Sequence, residues 1–246
     1  MSIKQFYITT VLFILPSPIS MRLVRLLGYN VSTNSKVGFS IIICKEIIIE
    51  DYCKIGHFNI ITNKSIKLKS YSRIGYLNIL HGSFNLNLEN NSVLLNKNYL
   101  TRAQEGVTYG LSQLNIGYNS IITTGHHLDL TRSITFGDHS ILAGIRSQMW
   151  THGYYHAETG PDRCRIDGEI KIGDNVYIGS GCIFNPGVSV GNAIHIGAGA
   201  VISKNLEQPG MYVGQALRYI ATNFETVKSK LHKVEDYELI EEVYEK

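Results

Sequence analysis

The sequence predicts an all-β solenoid, a chain wound into stacked triangular coils of short parallel strands. Three observations carry this. Large apolar residues recur every six positions over most of the 246 residues. The composition is 44% hydrophobic and only 17% charged, too apolar for a disordered chain and large enough for a real core. Ile is the commonest residue and Pro occurs 5 times, a bias toward strands. The 23 glycines follow no three-residue period, which excludes collagen.

The first 34 residues read as a helical cap. An apolar run from Phe6 to Leu15 is too short to span a bilayer, which needs about 20 residues. No small-residue cleavage site follows it, as a signal peptide requires. Met21 to Leu27 reads as a second, amphipathic helix. Packed over the first coil, the two would hide Leu12, Phe13 and Leu23. A peripheral membrane contact through Arg22 and Arg25 is the alternative.

Residues 35–207 form the solenoid. Ile49, Ile55 and Ile61 open successive hexads, with Cys53, Asn59 and Ser65 at the fifth positions. Leu68, Ile74 and Leu80 continue after a one-residue slip, then Leu88, Leu94 and Leu100, then Ile116 and Ile122. Phe136 and Leu142 follow, with Ser140 and Arg146 at the fifth positions. The most regular stretch opens its hexads with Ile172, Ile178, Phe184, Val190, Ile196 and Ile202. A short strand sends alternate side chains to opposite faces, and a tight turn after each strand lets three strands close a triangle. The opening aliphatic points inward, and the small fifth residue fits the crowded corner. Roughly nine coils at about 4.8 Å each make a prism of about 45 Å. Cys53 and Cys182 fall on inward positions, as buried thiols. None of the four Cys forms a CxxC pair, which fits a reduced, cytoplasmic compartment.

The repeat lapses over residues 147–170. That insert holds the single Trp (Trp150), His152, His156, Tyr154, Tyr155 and two Arg. Insertions on solenoids often sit on the binding face. Neutral His, with an ordinary pKa near 6.5, suits a general base.

The pattern of an aliphatic, often Gly, two variable residues, a small residue and one more is the hexapeptide repeat. With it, the chain resembles the left-handed parallel β-helix acyltransferases, most specifically from Ile172 to Lys204. The resemblance implies a left-handed coil and acetyl transfer from acetyl-CoA, with no metal. In the sugar acetyltransferases of that family a His-containing loop precedes the most regular coils. Thr151-His152 matches that place, which implies His152 as general base, with His156 assisting. Glu158 and Asp167 are candidate orienters of the ring. The resemblance also assigns Ser180 and Ala198 to the pantetheine arm of the donor, and Ser203, Lys204 and Arg218 to its phosphate end. Arg218 lies in Gly214-Gln215-Ala216-Leu217-Arg218, where the family's usual Pro is Ala216. Trp150, Tyr154 and Tyr155 would suit sugar faces.

The expected activity is O-acetylation of a sugar or oligosaccharide acceptor in surface polysaccharide assembly, by a homotrimer. A nucleotide-sugar N-acetyltransferase, a zinc hydratase using His126 or His127 with His152 and His156, and a non-catalytic scaffold are the alternatives. His126, His127 and His139 fall in repeat coils and read as structural. Residues 208–246 form a C-terminal extension, with an expected helix over 221–246. Residues 234–246 carry a net charge of −5 (six acids, one Lys), which leaves +8 on the remainder of a +3 chain. No Lys/Arg run or basic-aromatic alternation points to nucleic acid.

Overall fold

The computed structural model describes residues 3–104, 106–156, 159–161, 163–214, 218–221, 226, 229, 232–233 and 244–245. The chain is a parallel β-solenoid of about 9 turns, a left-handed β-helix with two short helices at its N-terminal end. The predicted fold is therefore the observed one.

Three sides define each coil. The first carries Ile134–Phe136, Ile170–Ile172 and Ser189–Val190 in parallel register. The second carries Ile141–Leu142, Tyr177–Ile178 and Ile194–Ile196. The third carries His127–Asp129, Gln148–Met149, Ile183–Phe184 and Val201–Ile202. The hexad-opening residues point inward and are buried, from Ile49, Ile55 and Ile61 up to Ile196 and Ile202. They form one continuous apolar column.

The fifth positions form two polar columns at the corners. Between the second and third sides run Ser40, Asn59, Asn78, Asn98, His126, Ser147 and Cys182, each buried. Each side chain accepts the backbone N–H of the equivalent residue one coil up. Asn78 N donates to Asn59 Oδ1 at 2.9 Å and Asn98 N to Asn78 Oδ1 at 2.9 Å. His126 N donates to Asn98 Oδ1 at 2.9 Å, and Ser147 N to His126 Nδ1 at 3.2 Å. Serines do the same at the corner between the first and second sides: Ser140 N donates to Ser120 Oγ and Val176 N to Ser140 Oγ. Cys53 and Cys182 occupy such positions, and burial pushes both thiols up, as expected of inert core groups.

One fifth position differs from expectation. Arg146 is exposed in a left-handed turn at φ 64°, and Ser147 takes the inward place. The turn between Leu142 and Ser147 is one residue longer, opened by Gly144 at φ 67°.

The third corner, between the third and first sides, is irregular. In early coils Ile60–Leu68 and Ile79–Leu88 run straight through it as single strands, bulged between Asn63 and Ser65. In later coils the chain leaves this corner as long excursions.

Helices α1 (Ile3–Ile14) and α2 (Ser17–Leu26) close the open end of the first coil. Pro18 sits in the first turn of α2, where its missing N–H costs nothing. The first coil has an unpaired strand edge, and the cap satisfies it. Gln5 Nε2 donates to Cys44 O, Thr9 Oγ1 to Ile42 O at 2.9 Å, and Val37 N to Ser17 Oγ at 2.9 Å. Ile8, Leu12, Met21 and Val24 are buried against the coil. Phe13, expected to be hidden, is 47% exposed, because the buried face of α1 runs through Ile8 and Leu12 instead. The far end closes with Gly210–Val213 and Arg218–Ile220 as an antiparallel hairpin. Most of the expected helix over 221–246 lies outside the described residues. Where described, Thr226 is helical, while His232–Lys233 and Tyr244–Glu245 pair as antiparallel strands, so the expected helix does not run through those four residues.

Two stability predictions follow from the polar columns. Asn78→Leu keeps the volume but strips Asn98 N of its acceptor, so it costs about 2 kcal/mol in urea unfolding. Burial lowers the His126 pKa from 6.5 to about 4. In that window the unfolded chain binds a proton that the folded chain refuses, so stability falls as pH drops from 6.5 to about 4. The His126 contribution to this loss is at most about 3 kcal/mol. His126→Asn, which restores the amide found at position 98, should flatten this part of the stability–pH curve.

Candidate active site

The third corner positions the candidate chemistry. After the strand Gln148–Met149 the chain leaves the prism as a hairpin of His152–His156 and Arg163–Asp167. It re-enters at Gly168, where a Cβ would lie 2.3 Å from Gly187 N. Only glycine lets the base of the hairpin seat against the next coil.

His152 sits at the root of this hairpin with its side chain 32% exposed. Its Nδ1 lies 2.7 Å from Asp129 Oδ2. Asp129 ends the third-side strand of the preceding coil and is buried. Its carboxylate is held from every side. Oδ2 accepts Thr151 N at 2.9 Å and Thr151 Oγ1 at 2.8 Å, and Oδ1 accepts Thr131 Oγ1 at 2.9 Å. Burial raises this carboxyl, but the hydrogen bonds from His152, Thr151 and Thr131 outweigh it and hold the group below the ordinary carboxylate value. An ionised carboxylate at Nδ1 fixes the neutral imidazole with its proton there. The lone pair is then on Nε2, as a general base requires.

Asp129 was not among the expected orienters. Asp167 lies directly across the hairpin from His152, but its carboxylate grips Arg165, with Nε at 2.6 Å and Nη2 at 2.9 Å. Glu158 lies outside the described residues.

A second excursion meets the first. Residues 102–104 and 106–112 loop out of the same corner in the coil that begins at Leu100. Arg102, buried, pins this loop from inside through Ser83 O, Tyr109 O and Gly110 O. Arg165 of the hairpin donates to Val107 O. Arg132 lies 4.8 Å over the Tyr109 ring and donates to Tyr109 O, while its backbone N–H donates to Thr151 Oγ1 at 2.9 Å. Loop and hairpin thus form one wall beside His152. Sequence reasoning passed over the loop, although the 16-residue step from Leu100 to Ile116 marks an insertion.

The other expected residues are distributed around the corner and beyond it. Tyr154 and His156 follow His152 on one side of the hairpin strand, with ring separations of 6.0 and 6.5 Å. His156 is thus separated from His152 by Tyr154. Tyr155 faces solvent. Trp150 lies on the third side, its ring 4.8 Å from His127, and donates to Gln148 Oε1 at 3.0 Å. His126 is an interior column residue, with Nε2 at 2.9 Å from Thr123 Oγ1. Among the described residues no group of three or more His, Cys, Asp or Glu is placed to hold a metal ion.

The residues expected at the donor divide between two corners. Ser180 and Ala198 stack one coil apart where the second side meets the third, with Gly199 N donating to Ser180 O at 2.8 Å. Ser203 and Lys204 are exposed after the strand Val201–Ile202, at the same corner as His152, two coils up and about 10 Å along the axis. The side chain of Arg218 lies outside the described part of the chain; its backbone pairs with Val213.

The tautomer is measurable. Nitrogen-resolved NMR of the neutral ring should find the proton of His152 on Nδ1. Asp129→Asn, whose amide can donate where the carboxylate accepted, should move it to Nε2.

Residues 169–204 match the model of the bacterial transferase hexapeptide, six repeats. No curated protein matches the chain. Among solved structures, it is similar to a hexapeptide-repeat acetyltransferase of Vibrio cholerae O1 biovar eltor complexed with acetyl coenzyme A. Identity is 23% and the TM-score 0.40, over 44% of this chain and 60% of that one. The polysialic-acid-specific acetyltransferase NeuO is 18% identical, with a TM-score of 0.46, over 74% of this chain and 75% of its own. An N-acyltransferase from Bacillus cereus, in complex with dTDP-4-amino-4,6-dideoxyglucose and coenzyme A, is 17% identical, with a TM-score of 0.43, over 85% and 92%. The chain spans less than two thirds of the length of the Vibrio cholerae structure. The match over residues 169–204 falls on the most regular coils, which carry the hexapeptide repeat.

Proposed function

We propose that the chain is an acetyl-CoA-dependent O-acetyltransferase acting on a sugar hydroxyl, with His152 as general base and Asp129 as its positioning residue. The Asp129–His152 pair carries this reading, since it orients the imidazole through Nδ1 and leaves Nε2 facing a walled corner. Two of the similar solved structures are complexes with acetyl coenzyme A or coenzyme A, which supports the donor.

In this mechanism Nε2 of His152 takes the proton of the acceptor hydroxyl as its oxygen attacks the thioester carbonyl carbon. The carbon–sulfur bond then breaks, and the imidazolium returns the proton to the departing sulfur. Asp129 stabilises the imidazolium without itself being protonated, which its lowered pKa favours. Tyr154 and the loop carrying Tyr109 present aromatic surface to the acceptor, Tyr155 points to the other face of the hairpin, and Trp150 lines the third side. Lys204 meets a phosphate of the donor as a point charge.

His152 and Lys204 lie at one end of the third side, Ser180 and Ala198 at the other. A homotrimer that packs this side against a second copy lets one donor contact both corners, and closed threefold symmetry satisfies every copy equally. Ile60, Ile79 and Tyr99 form an exposed apolar row over three successive coils of the third side, which supports such a contact.

The test is transfer from labelled acetyl-CoA to a panel of sugar acceptors. His152→Ala should lower kcat by about 10²–10⁴-fold with little change in KM for acetyl-CoA. Lys204→Ala should raise that KM and leave kcat nearly unchanged. Undiminished transfer by His152→Ala would remove His152 from the mechanism. Transfer to amino sugars but not to hydroxyl acceptors would replace O- by N-acetylation.

A further inference from the structure

The helical cap has two faces, and the fold uses only one. On α1, Ile8 and Leu12 pack on the first coil. The opposite face presents Ile3, Phe6, Tyr7, Phe13 and Ile14, of which Ile3 is 78% and Ile14 62% exposed. These positions lie on one face of the helix, with Thr10 between the Phe6/Tyr7 and Phe13/Ile14 pairs. On α2, Met21 and Val24 are buried, while Ile19 and Leu26 are exposed, Leu26 at 81%. Cap formation does not explain this surface, since the cap's polar and apolar ties to the coil run through the other face.

Charge selects the occupant. Residues 1–45 hold Lys4, Arg22, Arg25, Lys36 and Lys45 and no acid; the first carboxylate is Glu46. Arg22 and Arg25 are exposed on α2 beside the apolar residues. Glu46 lies near Lys4, and Glu50 and Asp51 near Arg25, at the rim of the cap. The helices α1 and α2 themselves carry Lys4, Arg22 and Arg25 and no acid, so two copies meeting end to end through their outer faces would oppose the same cations. A bilayer carrying anionic headgroups accepts both features: the apolar face enters the interface and the arginines meet the headgroups. The 12 residues of α1 give about 18 Å, short of the roughly 30 Å hydrocarbon core, so α1 lies along the surface. Among the described residues no helix is long and apolar enough to cross a membrane.

We propose that the outer face of the helical cap is an interfacial docking surface for an anionic lipid bilayer, with α1 inserted by its Phe6–Phe13 face and α2 held by Arg22 and Arg25. This rests on the cap alone and is independent of the reaction assigned to His152.

The experiment is co-sedimentation of the full chain with vesicles, either phosphatidylcholine alone or an equal mixture with phosphatidylglycerol. The chain should pellet with the mixed vesicles and far less with phosphatidylcholine, and high salt should weaken the binding. Phe6→Gln with Phe13→Gln should lower vesicle affinity at least tenfold, and so should Arg22→Gln with Arg25→Gln. All four side chains are exposed, so both variants should keep the wild-type thermal midpoint. The proposal falls if the wild-type chain stays in the supernatant with both vesicles. It falls equally if it pellets with both alike and the arginine variant changes nothing. Sedimentation velocity gives a further arm. An end-to-end pair that dissolves in the Phe6/Phe13 variant, without vesicle binding by the wild type, would make a second copy the occupant.

Discussion

The structure depends on one recurring hydrogen bond, from the backbone N–H at the end of each turn to the inward side chain of the coil below. A triangular coil turns its backbone sharply at three corners and buries the peptide groups there. A buried N–H without an acceptor costs about 1–3 kcal/mol, and the prism has many. The Ser, Asn and His side chains stacked at the corners supply those acceptors in sequence from Ser40 to Cys182. The same geometry forces the preceding residue into the left-handed region even where it is Tyr52, Phe58 or Leu77, each near φ 60°. Such residues cost roughly 1–2 kcal/mol each. Their N–H groups in turn bond to the coil below, as Leu77 N does to His57 O and Tyr71 N to Asp51 O. Strain at one atom is offset by satisfaction at its neighbour, which is why the period tolerates so varied a set of residues.

The site exists because the third corner escapes this regime. Where the strand runs straight through, as in Ile60–Leu68, no turn needs an acceptor and no loop can grow. Where the chain leaves the corner, the rigid coils beneath become the foundation of a site. Asp129 illustrates this. It ends a strand that is parallel to its neighbours on both sides, so its backbone is fixed by the stack, while Thr131, Thr151 and His152 hold its carboxylate. His152 is consequently oriented from below by a rigid element, while the hairpin and the loop carrying Tyr109 surround it. The arginines 102, 132 and 165 bind these two excursions chiefly through backbone carbonyls, so the wall depends on chain path more than on side-chain identity.

The sequence made the fold legible because each coil repeats the same demand six residues apart. Every hexad-opening residue from Ile49 to Ile202 that the periodicity marked is buried. Arg146 was misplaced because one inserted residue shifts inside and outside, and nothing local marks the slip except Gly144. The site was legible in part. The break in the repeat exposed His152, but Asp129 reads as one more strand residue. Its partner is 23 positions away, and the two meet only through coil stacking. Once His127 is known to stand under Gln148, the corner after Asp129 must lie beneath Thr151, so coil arithmetic would have found it. Asp167, nearer in sequence and directly across the hairpin, was the more natural candidate. It is excluded by Arg165, which no spacing rule reveals.

A stack of coils also fixes distance along its axis. From the capped strand Ile41–Ile42 to Gln148–Met149 the third side takes five coil steps, about 24 Å at about 4.8 Å each. The prism cannot shorten without breaking the corner hydrogen bonds, so the height of His152 above the cap is a constant of the fold. With the cap seated on a bilayer, the hairpin and the loop carrying Tyr109 stand at that height above the headgroups. An acceptor tethered to the same surface would reach His152 only if its reactive hydroxyl lay a comparable distance from its anchor. Early coils with no excursion at the third corner would then act as a spacer, and their number, more than any side chain, would set which hydroxyl along a surface-anchored chain meets Nε2.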